Sequence, residues 1–172
     1  MNAPAPAPAP LPFVPADFVV PPMLETDEFR LRTLTVHDVV KDYDAVMSSA
    51  DHCRTIWPGL GWPEGLTLTQ NLIDLGWHQK EFQLRRSFAY TVVNLAETTV
   101  LGCVYIDPTK RRGYDAVVCL WARASELAGG LEDRLYRRVK AWIAAGWPFE
   151  SVGFPGRDIP WETWKAIPNE PR

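Results

Sequence analysis

The chain has few of the residues that build metal sites and disulfide frameworks. Of its 172 residues, only three are cysteine and three are histidine. Neither set has the spacing of a zinc site, and the odd number of cysteines argues against a disulfide framework. We therefore expect no metal site, and reduced, mostly buried thiols as in a cytoplasmic protein. The residues concerned are Cys53, Cys103 and Cys119, and His37, His52 and His78.

Long apolar runs and a basic charge balance are also missing. No stretch approaches the roughly 20 apolar residues that cross a bilayer, and the N-terminus lacks a secretion signal. The formal net charge is −3, whereas a nucleic-acid-binding domain concentrates positive charge. A cytoplasmic protein that binds neither membrane nor nucleic acid is predicted. The one basic cluster favours a solvated helix face over a phosphate site and consists of Arg134, Arg137, Arg138 and Lys140.

Proline is plentiful, and much of it opens the chain. The sequence has 16 prolines. Alternating Ala-Pro removes backbone donors and fixes φ at every second residue, which predicts an extended, polyproline-II-like arm. A disordered extension is favoured over a segment that binds an aromatic groove of a partner, although Phe18, Val19 and Val20 could attach its end to the domain. We therefore place a disordered arm at residues 1–22 and a single domain at residues 23–172.

Strand and helix patterns begin directly after this arm. Residues 29–34 alternate in the manner of a strand, and Asp38 follows as the N-cap of a first helix. Proline and glycine then predict a loop over residues 52–63. Its Trp57 and Trp62 either cover a ligand cleft or fill the edge of the core, and the sequence favours neither alternative.

A second helix is predicted over residues 67–84. Thr67 or Thr69 would cap it, with Gln70 available for a capping-box contact. Apolar positions recur at helical spacing, which predicts a buried stripe. The stripe consists of Leu68, Leu72, Ile73 and Leu75.

The second half of the chain predicts a meander followed by a helical crossover. The β-rich runs at residues 88–94, 99–106 and 114–123 are joined by short turns, which indicates antiparallel strands. A helix over residues 131–145 leads to a short strand at 151–154, parallel to the strand before the helix. We expect an α+β fold with a mixed, mostly antiparallel sheet and helices on both faces.

Three sequence features, in this order and at this spacing, resemble the GNAT-fold N-acetyltransferases. The first is LETDEFRLRTLTVHD at residues 24–38, which contains the pattern Leu-Arg-x-Leu-x-x-x-Asp. The second is SFAY at residues 87–90, and the third is VLG at residues 100–102. The resemblance covers residues 24–154 and is closest to the branch that acetylates the N-termini of ribosomal proteins.

The resemblance implies a site for acetyl-coenzyme A where the fourth and fifth strands of that fold part. Backbone groups of residues 120–122 would hold the thioester and pantetheine, and the loop of residues 127–131 would meet the pyrophosphate with amides at a helix N-terminus. The residues implied to bind the cofactor are Leu120, Trp121, Ala122, Leu127, Ala128, Gly129, Gly130 and Leu131.

The same loop departs from the family pattern Arg/Gln-x-x-Gly-x-Gly/Ala. Gly130 matches the central glycine, but Leu127 replaces the Arg or Gln and Glu132 replaces the small residue. With Glu126 and Asp133, Glu132 puts three carboxylates beside the diphosphate, and two like charges about 6 Å apart repel by a few kcal/mol. The basic residues that could offset them are Arg123, Arg134 and Lys110, of which Arg123, at the end of the fourth strand, is the best candidate.

Residues for the chemistry are only weakly indicated, so the catalytic residues are unassigned. The family's final helix and hairpin often supply a Tyr, and no Tyr follows Phe154. The carboxylates nearest the third and fourth strands belong to Glu97, Asp107 and Asp115, and all three are expected to lie in turns with structural roles. Packing roles are expected for Tyr105, Tyr114 and Cys119.

Two functions fit these observations. The leading one is an acetyl-coenzyme A-dependent N-acyltransferase that transfers the acyl group directly to a small-molecule or peptide amine entering near Trp57 and Trp62. The alternative is a non-catalytic GNAT-like binding module that has lost affinity for acetyl-coenzyme A and could form a homodimer. Gly129 and Gly130 favour the enzyme, whereas the altered loop and the missing final elements favour the binding module.

Overall fold

The computed structural model describes residues 12–170 and contains one six-stranded sheet. Its strands are β1 Met23–Glu25, β2 Phe29–Thr33, β3 Phe88–Asn94, β4 Val100–Pro108, β5 Ala116–Ala122 and β6 Val152–Gly153. The strands lie side by side in chain order, and neighbours pair antiparallel except for β5 and β6, which are parallel. The sequence predicted this mixed, mostly antiparallel sheet but did not predict β1.

Helices cover both faces of the sheet, as predicted. They are α1 Val39–Met47, α2 Ala50–Ile56, α3 Leu68–Gln83, α4 Ala124–Leu127, α5 Leu131–Gly146 and α6 Trp161–Ala166, with a 3₁₀ turn at Val36–Asp38. Because successive side chains of a strand point to opposite faces of the sheet, the core has two parts, one on each face. In β4, Val104 and Ile106 pack on the side of α5, whereas Cys103 packs on the side of α1, α2 and α3.

Asp38 connects β2 to the first helices and holds the predicted N-cap position of α1, but its side chain does not cap that helix. Its carboxylate accepts two hydrogen bonds from the Arg32 guanidinium, at 2.7 and 2.9 Å, and one from the Thr35 N–H at 3.2 Å. It makes no side-chain bond to the first turn of α1. The bidentate ion pair with a β2 arginine therefore fixes the turn between strand and helix.

The loop predicted over residues 52–63 begins only at Trp57. Residues before it form α2, and Cys53 is buried against the sheet. The helix-breaking residues all follow Trp57, beginning with Pro58. The loop prediction was therefore wrong for residues 52–56, because proline and glycine interrupt helical structure only from Pro58 onward.

Helix α3 agrees with its predicted extent but does not bury the predicted stripe. The Thr67 hydroxyl accepts a first-turn N–H at 3.1 Å and caps the helix. Leu75 is 3% exposed, whereas Leu68, Leu72 and Ile73 are 45%, 44% and 58% exposed. The helix contacts the rest of the protein along a narrow line, so periodicity alone assigned too much of its surface to the core.

Gly102 produces a β-bulge in β4. Val92 pairs with Gly102, but the next residue of β3 pairs with Val100, so Leu101 is the extra residue. A Cβ at Gly102 would lie 2.0 Å from the carbonyl oxygen of Trp121 in β5. Only glycine permits this approach of two backbones. The bulge thus sets how β4 meets the end of β5.

The described part of the proline-rich segment packs onto the domain. Val14 is 1% exposed, and Phe18 packs partly buried against the same core, whereas Val19 is 81% exposed. Packing therefore begins well before residue 23, where the sequence placed the domain boundary. Residues 1–11, which contain the Ala-Pro repeat, lie outside the described residues, and the disordered arm stays a prediction.

Candidate functional site

Strands β5 and β6 part almost as soon as they meet. They pair only at Ala116 with Val152 and Val117 with Gly153. Among residues 12–170 no strand pairs with the rest of β5 on this side, and a cleft of about 190 Å³, here called the wedge, opens there. Its walls include His52, Thr55, Ile56, Cys119, Leu120, Glu132, Phe154, Arg157 and Trp161.

A buried glutamate lies in this wedge. Glu132 is 8% exposed, and its Oε2 accepts the Ala122 N–H at 2.9 Å and lies 2.5 Å from His52 Nε2. Its Oε1 accepts a hydrogen bond from the Arg157 guanidinium. A backbone donor, an imidazole and a cation therefore surround the carboxylate, and these are the partners that a buried charge needs.

The loop before α5 has the backbone geometry of an anion site. Gly130 adopts a left-handed φ of 73° and turns the chain into the helix. Within the described residues, the N–H groups of residues 131–133 meet no acceptor outside the helix, and a first turn has none inside it. Glu132 and Asp133 place two carboxylates in that same turn. The backbone N–H groups would therefore attract an anion, whereas the two carboxylates would repel it.

Three of the residues implied to bind the cofactor end β5. Leu120 lines the wedge, and the Trp121 ring lies on the opposite face of the sheet, in the core beside α1 and α2. The Ala122 N–H is already bonded to Glu132. A cofactor contact at Ala122 is therefore available only if Glu132 moves.

The other five implied residues run from the last residue of α4 through the loop to the first residue of α5. Leu127 packs partly buried against the core, and Leu131 is 2% exposed within it. Ala128 and Gly129 are exposed, and Gly130 supplies the left-handed turn. The two leucines thus have packing roles, and the contact of this loop with a pyrophosphate stays a prediction.

The cation expected to offset the carboxylates of the loop is bound elsewhere. Arg123 pairs with Asp44 of α1 at 2.6 Å. Arg134 reaches the loop instead, where its Nη1 donates to a loop carbonyl at 2.5 Å. Arg157, which binds Glu132, was not singled out from the sequence, because it lies in a tail without a recognisable motif.

A second cavity, of about 310 Å³, lies between α3, the loop after α2 and the sheet. Aromatic rings form a connected wall: Trp57 contacts Trp62 and Tyr105, with ring centroids 5.2 and 5.5 Å apart. His78 lies 5.1 Å from Tyr105 and 4.9 Å from Trp77. We call it the aromatic cavity, and its walls also carry three carboxylates, those of Asp42, Asp74 and Asp107.

Burial sets the charges in the aromatic cavity. It raises the pKa of Asp107 to about 6, and that of Asp42 to about 6 as well. It lowers the pKa of His78 to about 4. At pH 7 both carboxyl groups are mostly ionised and the imidazole is neutral. Because no Lys or Arg is among the described lining residues, the cavity is negatively charged.

The aromatic cavity bears on one alternative and shows what the sequence analysis missed. Trp57 and Trp62 pack against the core edge and also line the cavity, so the core role is met, and a role in covering a ligand stays a prediction. Asn71, Asp74 and His78 were not singled out. They recur at intervals of three and four residues and share one helix face, so polar residues within a predicted apolar stripe were the available signal.

The carboxylates predicted to lie in turns have different surroundings. Asp115 accepts two backbone N–H bonds at 2.7 and 2.8 Å, and Glu97 pairs with Arg30 and Arg32 at 2.5 and 2.8 Å. These contacts match the structural roles expected for both residues. Asp107 lies in β4 rather than in a turn and lines the aromatic cavity, so its expected position was wrong.

The wedge and the aromatic cavity share a wall. Cys119 lines the wedge, and its pairing partner in β4 is Tyr105, which lines the aromatic cavity. Ile56, at the end of α2, lines the wedge, and the next residue, Trp57, lines the cavity. The two clefts are therefore lined by residues that are neighbours, in the β4–β5 pairing and along the chain.

Residues 12–170 contain neither a metal cluster nor a membrane-spanning helix. No three His, Cys, Asp or Glu side chains lie together as metal ligands would. No helix combines the length and the apolar character that crossing a bilayer requires.

The chain is similar to known proteins in structure but not in sequence. No family model and no curated protein sequence matches the chain. The ribosomal-protein-S5-alanine acetyltransferase from Vibrio fischeri is 16% identical with a TM-score of 0.57, over 70% of this chain and 66% of that one. The ribosomal L7/L12 alpha-N-protein acetyltransferase RimL, in complex with coenzyme A, is 12% identical with a TM-score of 0.58, over 71% and 67%.

A third solved structure comes from another kind of acetyltransferase. The microcin C7 self-immunity acetyltransferase MccE, in complex with acetyl-CoA and AMP, is 13% identical with a TM-score of 0.52, over 70% and 66% of the two chains. The chain spans just under two thirds of the length of the Vibrio fischeri enzyme. At such identities the likeness shows the fold, and it confirms the prediction made from sequence: this chain has the GNAT fold.

Proposed function

We propose that the chain is an acetyl-coenzyme A-dependent N-acyltransferase that transfers the acyl group directly to an amine held in the aromatic cavity. The observation that carries this proposal is the wall that the wedge and the aromatic cavity share at Cys119 and Tyr105. The coenzyme would lie between the parting strands, and an amine in the cavity would lie on the other side of the paired residues Cys119 and Tyr105. This arrangement brings two reactants together in one orientation.

The backbone of the wedge fits the coenzyme, and one side chain opposes it. The free edge of β5 beyond Val117 can hydrogen-bond a pantetheine arm, and the turn at Gly130 presents N–H groups that suit a pyrophosphate. When bound, acetyl-coenzyme A would supply the activated acyl group. Glu132 must first leave the Ala122 N–H. Its departure would free Arg157 to approach the anionic coenzyme.

Asp107 is the candidate base of the aromatic cavity. An incoming amine is protonated near pH 7, and direct transfer needs the neutral form. Burial raises the pKa of Asp107 to about 6, so its carboxylate is ionised at pH 7 yet more basic than an ordinary Asp. It can accept the proton of an ammonium group within hydrogen-bond reach or through one water.

The Glu132 cluster favours a second function, the non-catalytic binding module. A wedge closed by a glutamate, an arginine and a histidine can be purely structural. The aromatic cavity would then bind its ligand without any acyl transfer. Affinity for acetyl-coenzyme A separates the two functions, because only the enzyme needs the wedge to open.

Titration calorimetry with acetyl-coenzyme A tests the proposal on the wild type and on Glu132→Ala. We expect the wild type to bind, and the variant to bind at least about 10-fold tighter, since a like charge leaves the site. Glu126→Ala is the matched control, because it removes a nearby carboxylate that does not enter the wedge. Release of the coenzyme thiol in the presence of a primary amine then measures turnover.

The outcome that excludes the enzyme is absence of heat from both proteins at millimolar coenzyme. An equal gain in affinity for Glu126→Ala and Glu132→Ala would instead contradict the specific role of Glu132. Circular dichroism of each variant checks that the fold is intact before the titration is interpreted.

A further inference from the structure

The aromatic cavity has the form of a binding site with apolar walls. Trp57, Trp62 and Tyr105 form its inner wall through edge-to-face contacts. At its mouth Trp77 is 54% exposed and Leu60 is 73% exposed. Large apolar side chains left in water around a concave surface mark a site that a ligand covers. A ligand for this cavity should therefore have an apolar part.

The charge of the aromatic cavity requires that this ligand also be a cation. Asp42, Asp74 and Asp107 line it, and no Lys or Arg is among the described lining residues. His78 does not balance them, since burial lowers its pKa to about 4 and keeps it neutral at pH 7. Three carboxylates in a partly desolvated cavity attract a positive group and repel an anion.

Asp107 is the carboxylate that the protein leaves without a partner. Asn71 donates to Asp42 at 2.9 Å, and Gln70 donates to Asp74 at 2.9 Å. Within residues 12–170, no donor forms a hydrogen bond to the Asp107 carboxylate, and the one cause that shifts its pKa is burial. Asp107 is half-buried, and a carboxylate that is partly removed from water and has no donor is less favourable than one with a partner. A bound cation would remove this cost.

We propose that the aromatic cavity binds a small organic ammonium ion, with its charge beside Asp107 and its apolar part against Trp57, Trp62 and Trp77. Aromatic rings attract a cation that lies within about 6 Å of their centroids, most strongly when the site is desolvated. The statement that this ligand is the acyl acceptor rests on the function proposed above. The statement that the cavity binds it as a cation does not.

Calorimetric titration without coenzyme tests the proposal with a matched pair of probes. Choline and 3,3-dimethylbutan-1-ol have nearly the same shape, and only choline is charged. We expect choline to bind in the millimolar range or tighter, and at least about 10-fold tighter than the neutral alcohol. Equal affinity for the two probes, or no binding of choline, would overturn the proposal.

Two variants and one control locate the site. Asp107→Asn should weaken choline binding by about 10-fold through loss of the charge, and Trp77→Leu by several-fold through loss of a ring. Asp51→Asn makes the same change of charge at an exposed position outside the cavity, and it should bind choline as the wild type does. If all three variants bind choline equally well, the cation is not in this cavity. Trp77 is half exposed, so its variant should fold even if Asp107→Asn does not.

The same measurements distinguish failure of this site from failure of the proposed enzyme. The choline nitrogen carries no N–H and cannot be acylated, so its binding does not depend on acyl transfer. Choline binding without transfer to any primary amine would exclude the enzyme and retain the cation site. Acyl transfer by a protein that does not bind choline would exclude the cation site and retain the enzyme.

Discussion

The wedge is lined by β5 and the aromatic cavity by the neighbouring strand β4, and each holds a carboxylate, but the surroundings of the two carboxylates differ. In the wedge, Glu132 has Arg157, His52 and a backbone N–H as partners. In the cavity, Asp107 has no hydrogen-bond donor among residues 12–170. A buried charge that the fold has satisfied behaves as a structural element, whereas an unsatisfied one indicates a site for a ligand.

The comparison also separates what the fold implies from what the side chains permit. The resemblance to GNAT-fold enzymes implies a coenzyme site where β5 and β6 part, yet that cleft is the one which Glu132 occupies. The aromatic cavity, which no motif indicated, is the larger cleft, at about 310 Å³ against about 190 Å³. Any acyl transfer by this chain therefore depends on moving one glutamate.

The largest effect is expected from a substitution that disturbs both regions at once. In Gly102→Ala the new Cβ would lie 2.0 Å from the Trp121 carbonyl oxygen, and β4 and β5 would have to move apart. That shift displaces both the Ala122 N–H and the pairing of Cys119 with Tyr105. We expect a loss of about 3 kcal/mol or more in the free energy of unfolding, measured with urea.

Gly146→Ala is the matched control for this substitution. Gly146 ends α5, and a Cβ there meets no atom within 4 Å. Its variant should be unchanged or stabilised by up to about 1 kcal/mol. If Gly102→Ala were as stable as this control, the bulge would not set the geometry of either region.

The free energy of unfolding should fall more when the wedge loses its cation, Arg157, than when it loses the carboxylate charge of Glu132. Arg157→Met leaves Glu132 buried with no arginine, which should cost about 3 kcal/mol. Glu132→Gln should cost only about 1 kcal/mol, because the amide oxygen still accepts the Ala122 N–H and Arg157 can turn toward Asp133, now 3.6 Å away. Urea unfolding of both variants and of the double variant measures the coupling. The reverse order of effects would show that Glu132 is not held as a buried charge.

Removal of the carboxylate in the aromatic cavity should instead stabilise the protein at neutral pH. Burial raises the pKa of Asp107 from 3.8 to about 6, so between these values the folded state holds the proton that the unfolded state has lost. Wild-type stability therefore falls as the pH rises from about 4 to about 6, by up to about 3 kcal/mol from this one group. Asp107→Asn removes that loss.

The check is the free energy of unfolding of Asp107→Asn and wild type across that pH range. The two curves should coincide near pH 4 and diverge until about pH 6, with the variant up to about 3 kcal/mol more stable above it. Asp51→Asn, at an exposed position, should follow the wild type throughout. A constant difference at all pH values would mean that Asp107 titrates normally.

The parts of the fold that could be predicted are those fixed by neighbours in sequence. The run at residues 88–94 has the bounds of β3, and α5 begins at Leu131 as predicted and ends one residue beyond its predicted extent. Periodicity failed for α3, where Leu72 and Ile73 face outward. An apolar stripe shows which helix face could be buried, but whether another element covers that face depends on the rest of the fold.

The candidate site was predicted less completely than the fold, for a related reason. Gly129 and Gly130 are adjacent, so a motif could place the loop before α5. The aromatic cavity joins Asp42, Asp74 and Asp107 from α1, α3 and β4, and no spacing in the sequence relates them. Arg157 is likewise distant in sequence from Glu132. Contacts between residues so far apart in sequence can be inferred only when the order of the strands in the sheet is known.

The smallest effect on stability, and the sharpest test of the wedge, is expected from Arg134→Gln. Arg134 pairs with Glu28 and donates to the Gly129 carbonyl at the protein surface, and such exposed pairs contribute little to folding. The thermal midpoint should therefore not change. In the Glu132→Ala background, however, loss of this cation beside the loop should weaken binding of acetyl-coenzyme A several-fold at low salt, and less at high salt.

Arg138→Gln is the control, since Arg138 lies on the same helix, exposed and farther from the loop. A wedge that binds an anion should distinguish the two arginines in affinity while their unfolding curves remain the same, because only Arg134 lies where a pyrophosphate would meet the first turn of α5. A wedge that is purely structural should distinguish them in neither measurement. Equal, salt-independent affinities of the two variants for acetyl-coenzyme A would therefore show that the wedge has a structural role. The aromatic cavity would then remain as the functional cleft of this chain.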